Sequence, residues 1–309
     1  MLFNKNDNGA VELYELTGTY CPSNNFEAIA GELNDAAREV ANLVGEGVVS
    51  AAKQAYDEDS NAELVKAVQL PIACLAMMRY FRQTTVLHQD SGRKITAGDD
   101  EKVPFEWMID RDDRAMQEKY YRSLDALFAY LEKTDIQGWK ESYLRRNMQF
   151  SIVKDIHSFE SVYPIEQSYY LFFMLLPLIV EVQTTKLKKA LGDAWERISK
   201  DSVASEDEAL LYCARRAAVL GALVIAVERW SIEVFPQSIA RRFMPTYQGN
   251  RANKTASTEE MEWYLNKLKQ QSNEAMQDLL SEVAGQNRYE DYPLLPENKR
   301  SNKFFNGGC

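Results

Sequence analysis

The two histidines are the first place to look for chemistry in this chain. Neither His88 nor His157 has a glutamate three residues before it, which excludes the Glu-x-x-His pairs of di-iron helical bundles. Asp155 lies two residues before His157, but no serine or cysteine motif resembling a nucleophile elbow accompanies this pair. The histidines therefore predict no catalytic site.

The glycine and cysteine patterns also indicate no nucleotide-binding or metal site. Gly45 and Gly47 are not followed by the last glycine of a dinucleotide-binding fingerprint, and the sequence has no Gly-Lys-Ser/Thr phosphate loop. The four cysteines are too far apart for a zinc knuckle, and Cys74 and Cys213 lie in apolar stretches like small core residues. We expect no catalytic residue, no cofactor, no metal and a reducing compartment.

Positive charge is concentrated in one stretch of the chain. Residues 236–256 include Arg241, Arg242, Arg251 and Lys254 and contain no acidic residue. Long connections in compact domains are usually functional or disordered. Two interpretations stay open: a solvated loop, or a docking site for an acidic partner or for DNA phosphates.

The end of the chain differs in composition from the rest. Residues 286–309 lack a helical period and contain two prolines, which predicts an extended tail. Phe304 and Phe305 suit an arm that clasps a neighbouring subunit. The alternatives are a frayed end and a segment packed on its own domain.

Composition and periodicity predict an all-α protein. The 14 glycines and 9 prolines cluster at breaks between helical runs. A β-sandwich or β-barrel would instead have turn residues at regular intervals along the chain. A chain of 309 residues is longer than one hydrophobic core usually supports. We therefore expect two tandem helical domains, 1–137 and 138–285, followed by the tail. Helical runs cover 26–45, 47–56, 60–88 and 105–133 in the first, and 165–182, 184–198, 205–235 and 257–285 in the second. A long loop, 89–104 or 236–256, precedes the last helix of each, and a short helix is expected at 10–16.

The two halves read as copies of one helical unit. A Ser-x-x-Glu sequence, typical of a helix capping box, begins at position 60 and again at position 205, an offset of 145 residues. Further along, Glu106-Trp107 matches Glu262-Trp263 at an offset of 156. Loop insertions between duplicated elements would produce this increase in the offset along the chain, from 145 to 156 residues. The alternative is that two unrelated helical halves can be aligned this well by choosing offsets.

Apolar runs at 169–180 and 217–227 raise the question of a membrane. Both are shorter than the roughly 20 residues that a spanning helix needs, and the first contains Pro177. We therefore expect core helices and no membrane contact. In the second run and just before it, small residues should let another helix approach closely: Ala214, Ala217, Ala218, Gly221 and Ala222.

Charge and the N-terminal sequence bear on partners and location. A net charge of −10 disfavours binding of nucleic acid or anionic lipid by the surface as a whole. The first residues lack the long apolar stretch of a secretory signal, so we expect the chain to stay in the cytoplasm where it is made.

The second half carries an ordered series of features. They are Ser158-Phe159-Glu160, a Tyr163-Pro164-Ile165 turn, an amphipathic helix to Val182, a Leu191-Gly192 break, a long helix, and a polar loop before a final helix. This order resembles the head-to-tail connector (adaptor) family of tailed bacteriophages, including the type encoded by phages of gut Bacteroidota. The likeness covers most of the chain as a pattern. Family members are similar in size to one half, and the first half has Gly45 and Gly47 in place of the Leu-Gly break.

The resemblance implies a non-enzymatic virion protein assembled in the host cytoplasm. Such proteins form a ring beneath the portal, often twelvefold, and dock portal and tail or neck proteins while packaged DNA passes through without specific binding. A tandem chain would occupy two positions in such a ring or build two tiers. Two other interpretations stay open: a cytoplasmic helical interaction scaffold unrelated to virions, and an enzyme or ligand-binding bundle.

Overall fold

The computed structural model describes residues 2–84, 87–89, 92–94, 104–200, 202–229 and 258–291. The first half contains α1 (Gly9–Thr17), α2 (Glu27–Val44), α3 (Glu46–Asp57), α4 (Ala62–Thr84), β1 (Leu87–Gln89), β2 (Gly92–Lys94) and α5 (Glu106–Lys133). A linking stretch contains α6 (Gln137–Lys140), α7 (Tyr143–Phe150) and α8 (Ile156–Glu160). The second half contains α9 (Tyr169–Val182), α10 (Lys188–Leu191), α11 (Ala194–Ile198), α12 (Glu208–Arg229) and α13 (Thr258–Asp291). Single turns of 3-10 helix, Lys5–Asp7 and Ser205–Asp207, and a π-helical turn, Gln183–Leu187, complete the order.

The predicted all-α class is confirmed for this part of the chain. Most described residues are helical, and β1 and β2 form one short antiparallel pair in which His88 lies opposite Arg93. The predicted helix at 60–88 therefore ends too late. Its last turn contains Thr84, whose hydroxyl donates to the Tyr80 carbonyl at 3.0 Å, and such local bonds weaken a helix.

Amphipathic spacing explains the outer helices, and continuous apolar sequence explains the central ones. In α2 the buried residues recur every three or four positions: Ile29, Leu33, Ala36, Val40 and Val44. By contrast, α4 and α12 each contain an unbroken run of buried residues, 71–77 and 217–223, and α4 continues through Pro71. Each central helix lies between neighbours of its own half: α4 packs on α2 and α5, and α12 packs on α9 and α13.

The predicted close approach at the small residues of α12 is confirmed. A Cβ added to Gly221 would lie 3.0 Å from a methyl group of Val182 in α9. Ala214, Ala217, Ala218 and Ala222 are buried in the same helix. Small side chains let the two helix backbones approach at this crossing.

Glycine breaks separate consecutive helices at matching places in the two halves. Gly45 has a φ of 96° between α2 and α3, and Gly192 has a φ of 54° between α10 and α11. L residues with a side chain rarely adopt such angles, which is why glycine stands at both breaks. The interruption expected after residue 45 is thus confirmed. The helix expected at 184–198 is wrong, since Gly192 divides it at the Leu-Gly break of the resemblance.

Both predicted capping boxes are wrong. At the start of α4 the side chain of Asn61, rather than Ser60, accepts the Leu64 N–H at 3.2 Å. The Ser60 N–H instead donates to the Ala55 carbonyl at 2.9 Å, which closes the end of α3. In the second half a 3-10 turn precedes α12, and the buried Asp207 accepts from Arg197 Nε at 3.2 Å.

The stretch that links the two halves is helical: it contains α7 and α8, whose first turns are capped by the side chains of Ser142 and Asp155. One further boundary differs from expectation. The last helix, α13, continues to Asp291, so residues 286–291 belong to it rather than to an extended tail. Pro293 follows at once, and the residue before a proline disfavours helical conformation. Residues 292–309 lie outside the described residues.

The two halves share one apolar core. Buried side chains from α2, α4 and α5 join those of α6 to α9 and α12 in a single cluster. Helices also pack across residue 137, with α3 against α6, α2 against α7 and α5 against α9. The domain boundaries at 137 and 285 stay predictions, and the halves meet through extensive apolar contact.

In the part of the chain that the structure describes, three helices have the length and apolar composition to cross a membrane. They are Ala62–Thr84, Tyr169–Leu191 and Ser205–Arg229, so the expectation that the apolar segments are too short is wrong. The helices extend beyond the apolar runs that define them in the sequence. In this fold 61%, 56% and 56% of their apolar windows are buried inside the protein, as expected for core helices. The absence of membrane contact stays a prediction.

Candidate functional site

The residues predicted to form interfaces lie outside the described residues. Arg241, Arg242, Arg251 and Lys254 fall within 230–257, and Phe304 and Phe305 fall within 292–309. Their roles in docking and clasping therefore stay predictions. The candidate surfaces described below come from other parts of the chain.

Asp155 and His157 have a structural explanation. The Asp155 carboxylate accepts the backbone N–H and the hydroxyl of Ser158, both at 2.8 Å, and so caps α8. His157 is exposed on this short helix. Among the described residues, no group of three or more His, Cys, Asp or Glu side chains could hold a metal ion.

A polar contact joins the halves where α9 begins. Asp125 on α5 accepts the Tyr170 N–H at 2.8 Å and the Ser168 hydroxyl at 3.2 Å, and Ser168 itself caps α9. Burial raises the pKa of Asp125 to about 6, against the opposing effect of these two hydrogen bonds. The carboxyl group therefore titrates close to neutral pH at the junction of the two halves.

Aromatic side chains fill the space beside this contact. The rings of Phe128, Trp139 and Phe173 lie 5.0 to 5.6 Å apart, and each belongs to a different helix. Trp139 is almost fully buried and donates its indole N–H to Glu132 at 2.8 Å. The seam is therefore a packed aromatic core, without open space for a ligand between these rings.

A concavity of about 390 Å³ lies between the end of α7, the end of α11 and one face of α12. We call it the cationic pocket. Its lining is Ile152, Lys154, Ile198, Lys200, Val203, Glu208, Leu211, Tyr212 and Arg215. Three cations and one acid surround an aliphatic floor, which suits an anionic group that carries apolar atoms.

Arg215 is held in place at the edge of the cationic pocket. Its Nε donates to the Ile152 carbonyl at 3.1 Å. Burial lowers its pKa, and the negative charge of Asp155 partly opposes that effect. Lys154 donates to the Gln149 carbonyl at 3.0 Å, so it too is anchored near the end of α7. Sequence reasoning missed this pocket because its cations come from positions 154, 200 and 215, with no motif that connects them.

Exposed aromatic residues mark the start of α5. Phe105 is 67% exposed, Trp107 58% and Met108 41%. Glu106 and Asp110 are exposed beside them. We call these five residues the α5 tip. In the second half, Trp263 is 55% exposed near the start of α13, so the matched Glu-Trp pairs place tryptophan at the surface in both halves.

Comparisons with protein-family models, with curated proteins and with solved structures find no match for this chain.

Proposed function

We propose that this chain is a structural virion protein of a tailed phage or prophage. It forms an oligomeric ring at the head-to-tail junction and docks portal and tail or neck components. Its role is mechanical and non-enzymatic, and it is assembled in the cytoplasm of the bacterial host without membrane contact. Packaged DNA passes through the ring without specific binding, in keeping with a net charge of −10.

The parallel construction of the two halves is the observation that carries the proposal. In each half a central helix packs between an earlier and a later helix: α4 between α2 and α5, and α12 between α9 and α13. A helix break at a glycine of positive φ, Gly45 or Gly192, lies before each central helix. Tandem copies of a connector module would have this shared order. Under the proposal, each chain contributes two quasi-equivalent modules to the ring, and their common core fixes the angle between them.

The distribution of exposed aromatics also supports an assembly role. Both halves place a tryptophan at the surface near the start of their last long helix, Trp107 and Trp263. Tryptophan, tyrosine and arginine are the side chains that most often dominate binding energy at protein interfaces. A chain with several separate contact surfaces can bind head to tail, and such contacts close into a ring when the rotation between subunits permits.

The basic loop and the tail have defined roles in this proposal. Arg241, Arg242, Arg251 and Lys254 dock an acidic surface of a neighbouring protein, and Phe304 and Phe305 anchor the tail on the next subunit. Both segments flank α13, which joins them to the shared core.

Mass and shape in solution test the proposal. We expect native mass spectrometry and negative-stain images of the purified full-length protein to show closed rings, alone or with a portal protein. Deletion of residues 292–309 should shift the population towards smaller species. The matched control is Phe304→Tyr with Phe305→Tyr, which keeps the aromatic anchors. A protein that stays monomeric at high concentration and binds no portal would contradict the proposal.

A cytoplasmic helical scaffold unrelated to virions is the alternative. The observation that favours it is the same set of exposed aromatics on a rigid helical body. Such a scaffold would bind a cellular protein in a small complex of fixed stoichiometry. Purification from infected or induced cells separates the two: a ring protein copurifies with phage particles, and a scaffold stays with host proteins.

A further inference from the structure

We propose that the α5 tip of one copy docks into the cationic pocket of the next copy, forming a head-to-tail contact between identical chains. This inference rests on the proposed ring. It supplies the ring with a specific contact made entirely of described residues, separate from the basic loop and the tail.

Charge is complementary between the two surfaces. The cationic pocket contains Lys154, Lys200 and Arg215 with Glu208 as its acid. The α5 tip exposes Glu106 and Asp110, which stand one helical turn apart and so share a face. The negative carboxylates of one surface would meet a surplus of positive charge on the other.

Apolar surface is complementary as well. Trp107 is 58% exposed and Phe105 67% exposed at the very start of α5. The floor of the cationic pocket consists of Ile198, Val203 and Leu211, with Tyr212 50% exposed at its side. An indole ring inserted there gains apolar contact and a tyrosine neighbour, the arrangement typical of a hot spot surrounded by charged groups.

The two surfaces lie far apart along the direction of α5 and α9, which makes the contact intermolecular. Helices α5 and α9 run in the same direction, since Tyr121 contacts Tyr170 and Phe128 contacts Phe173 further along both helices. The α5 tip precedes this contact by several turns. After it, α9 continues to Gln183, whose side chain accepts the N–H of Ile152 at the pocket edge, at 3.0 Å.

Helical rise gives the scale of this separation. At 1.5 Å per residue, the tip and the pocket are roughly 40 Å apart along the shared helix direction. One chain therefore cannot close the contact on itself. Because the two surfaces differ, repeating the contact from copy to copy produces an open filament or a closed ring, and the smallest ring is a pair with two reciprocal contacts.

Two blocked variants test the contact in the full-length protein. The pocket variant is Lys200→Glu with Tyr212→Asp, and the tip variant is Glu106→Lys with Trp107→Ser. The four altered residues are exposed, so folding should be retained, and circular dichroism checks this. Each variant alone should associate at least tenfold more weakly than the wild type in analytical ultracentrifugation. An equimolar mixture should stop at dimers, since each variant keeps one intact surface.

A matched control uses an exposed aromatic–acid dipeptide of α1 that has no proposed role in assembly. Glu15→Lys with Tyr14→Ser makes the same change of charge and also removes an exposed aromatic ring. We expect it to associate like the wild type. If this control weakens association as much as the tip variant does, the loss is not specific to the α5 tip and the inference is wrong.

The outcomes separate this contact from the ring itself. Rings that persist in both blocked variants would overturn the contact and leave the proposed function standing. If neither blocked variant associates and the wild type forms only open chains, the contact is supported and the ring is contradicted. A mixture that stays monomeric while the wild type forms rings would also overturn the contact. A wild type that never associates overturns both.

Discussion

The carboxylate of Asp125 accepts the backbone N–H of Tyr170 at 2.8 Å, which links α5 of the first half to the first turn of α9 in the second. Burial raises the pKa of Asp125 to about 6, from about 3.9 in an unfolded chain. The folded protein therefore binds this proton more tightly than the unfolded chain does. The stability contributed by the neutral carboxyl group is complete below about pH 4 and is lost as the pH rises to about 6.

Asp125→Asn should remove this pH dependence. The amide oxygen can accept the same two hydrogen bonds without a charge. We expect the variant to exceed the wild type in free energy of unfolding by about 1–2 kcal/mol at pH 7, allowing for solvent near the site, and to match it near pH 4. Urea unfolding at several pH values measures this. Asp35→Asn, at an exposed carboxylate of α2, is the control, and parallel pH profiles for wild type and Asp125→Asn would contradict the prediction.

Gly138 should tolerate no side chain. A Cβ at this position would lie 2.5 Å from the carbonyl carbon of Gly47, where α6 meets α3 backbone to backbone. We expect Gly138→Ala to lower the free energy of unfolding by about 1–3 kcal/mol. Gly31→Ala is the matched control, because its Cβ would meet open space in the middle of α2 and should stabilise that helix by about 1 kcal/mol. Equal thermal midpoints for the two variants would refute the backbone contact.

Truncation of Phe173 should destabilise both halves together. Its ring lies 5.0 Å from that of Phe128 and 5.2 Å from that of Trp139, so Phe173→Ala would open a cavity in the shared core. The expected loss is about 3–5 kcal/mol, seen as a lower midpoint of a single calorimetric transition. Phe150→Ala, at a ring 68% exposed, should change the midpoint little. Two separate transitions, of which only one moves, would show that the halves unfold independently.

The basic loop should act through charge. Replacing Arg241, Arg242 and Arg251 by serine is expected to leave the thermal midpoint unchanged and to weaken partner docking, with the largest difference at low salt. The control replaces three exposed cations elsewhere, Arg38, Lys53 and Lys66, so the change in net charge is the same. Binding to portal protein, measured between about 0.05 and 0.5 M salt, distinguishes the variants. Equal loss in both would indicate a general charge effect and remove the loop from the interface.

Local sequence was sufficient to place most long helices. The predicted bounds of α2, α3 and α5 agree with the structure to within two residues, because apolar spacing and glycine breaks act over a few turns. The small residues of α12 also predicted a close helix crossing. Helix ends were less predictable: Ser60 and Asn61 compete for the same cap, and the choice depends on how α3 ends just before them.

Sequence alone determined that this is a helical protein with glycine-marked breaks and two matched Glu-Trp pairs, since those features depend on residues close together in the chain. Only the tertiary structure decided that α5 and α9 run side by side, that Gly47 meets Gly138, and that Lys154, Lys200 and Arg215 surround one pocket. These contacts join positions far apart in sequence, and apolar burial favours them without prescribing which residues meet. The direction and order of packed helices therefore set where the charged and aromatic surfaces lie.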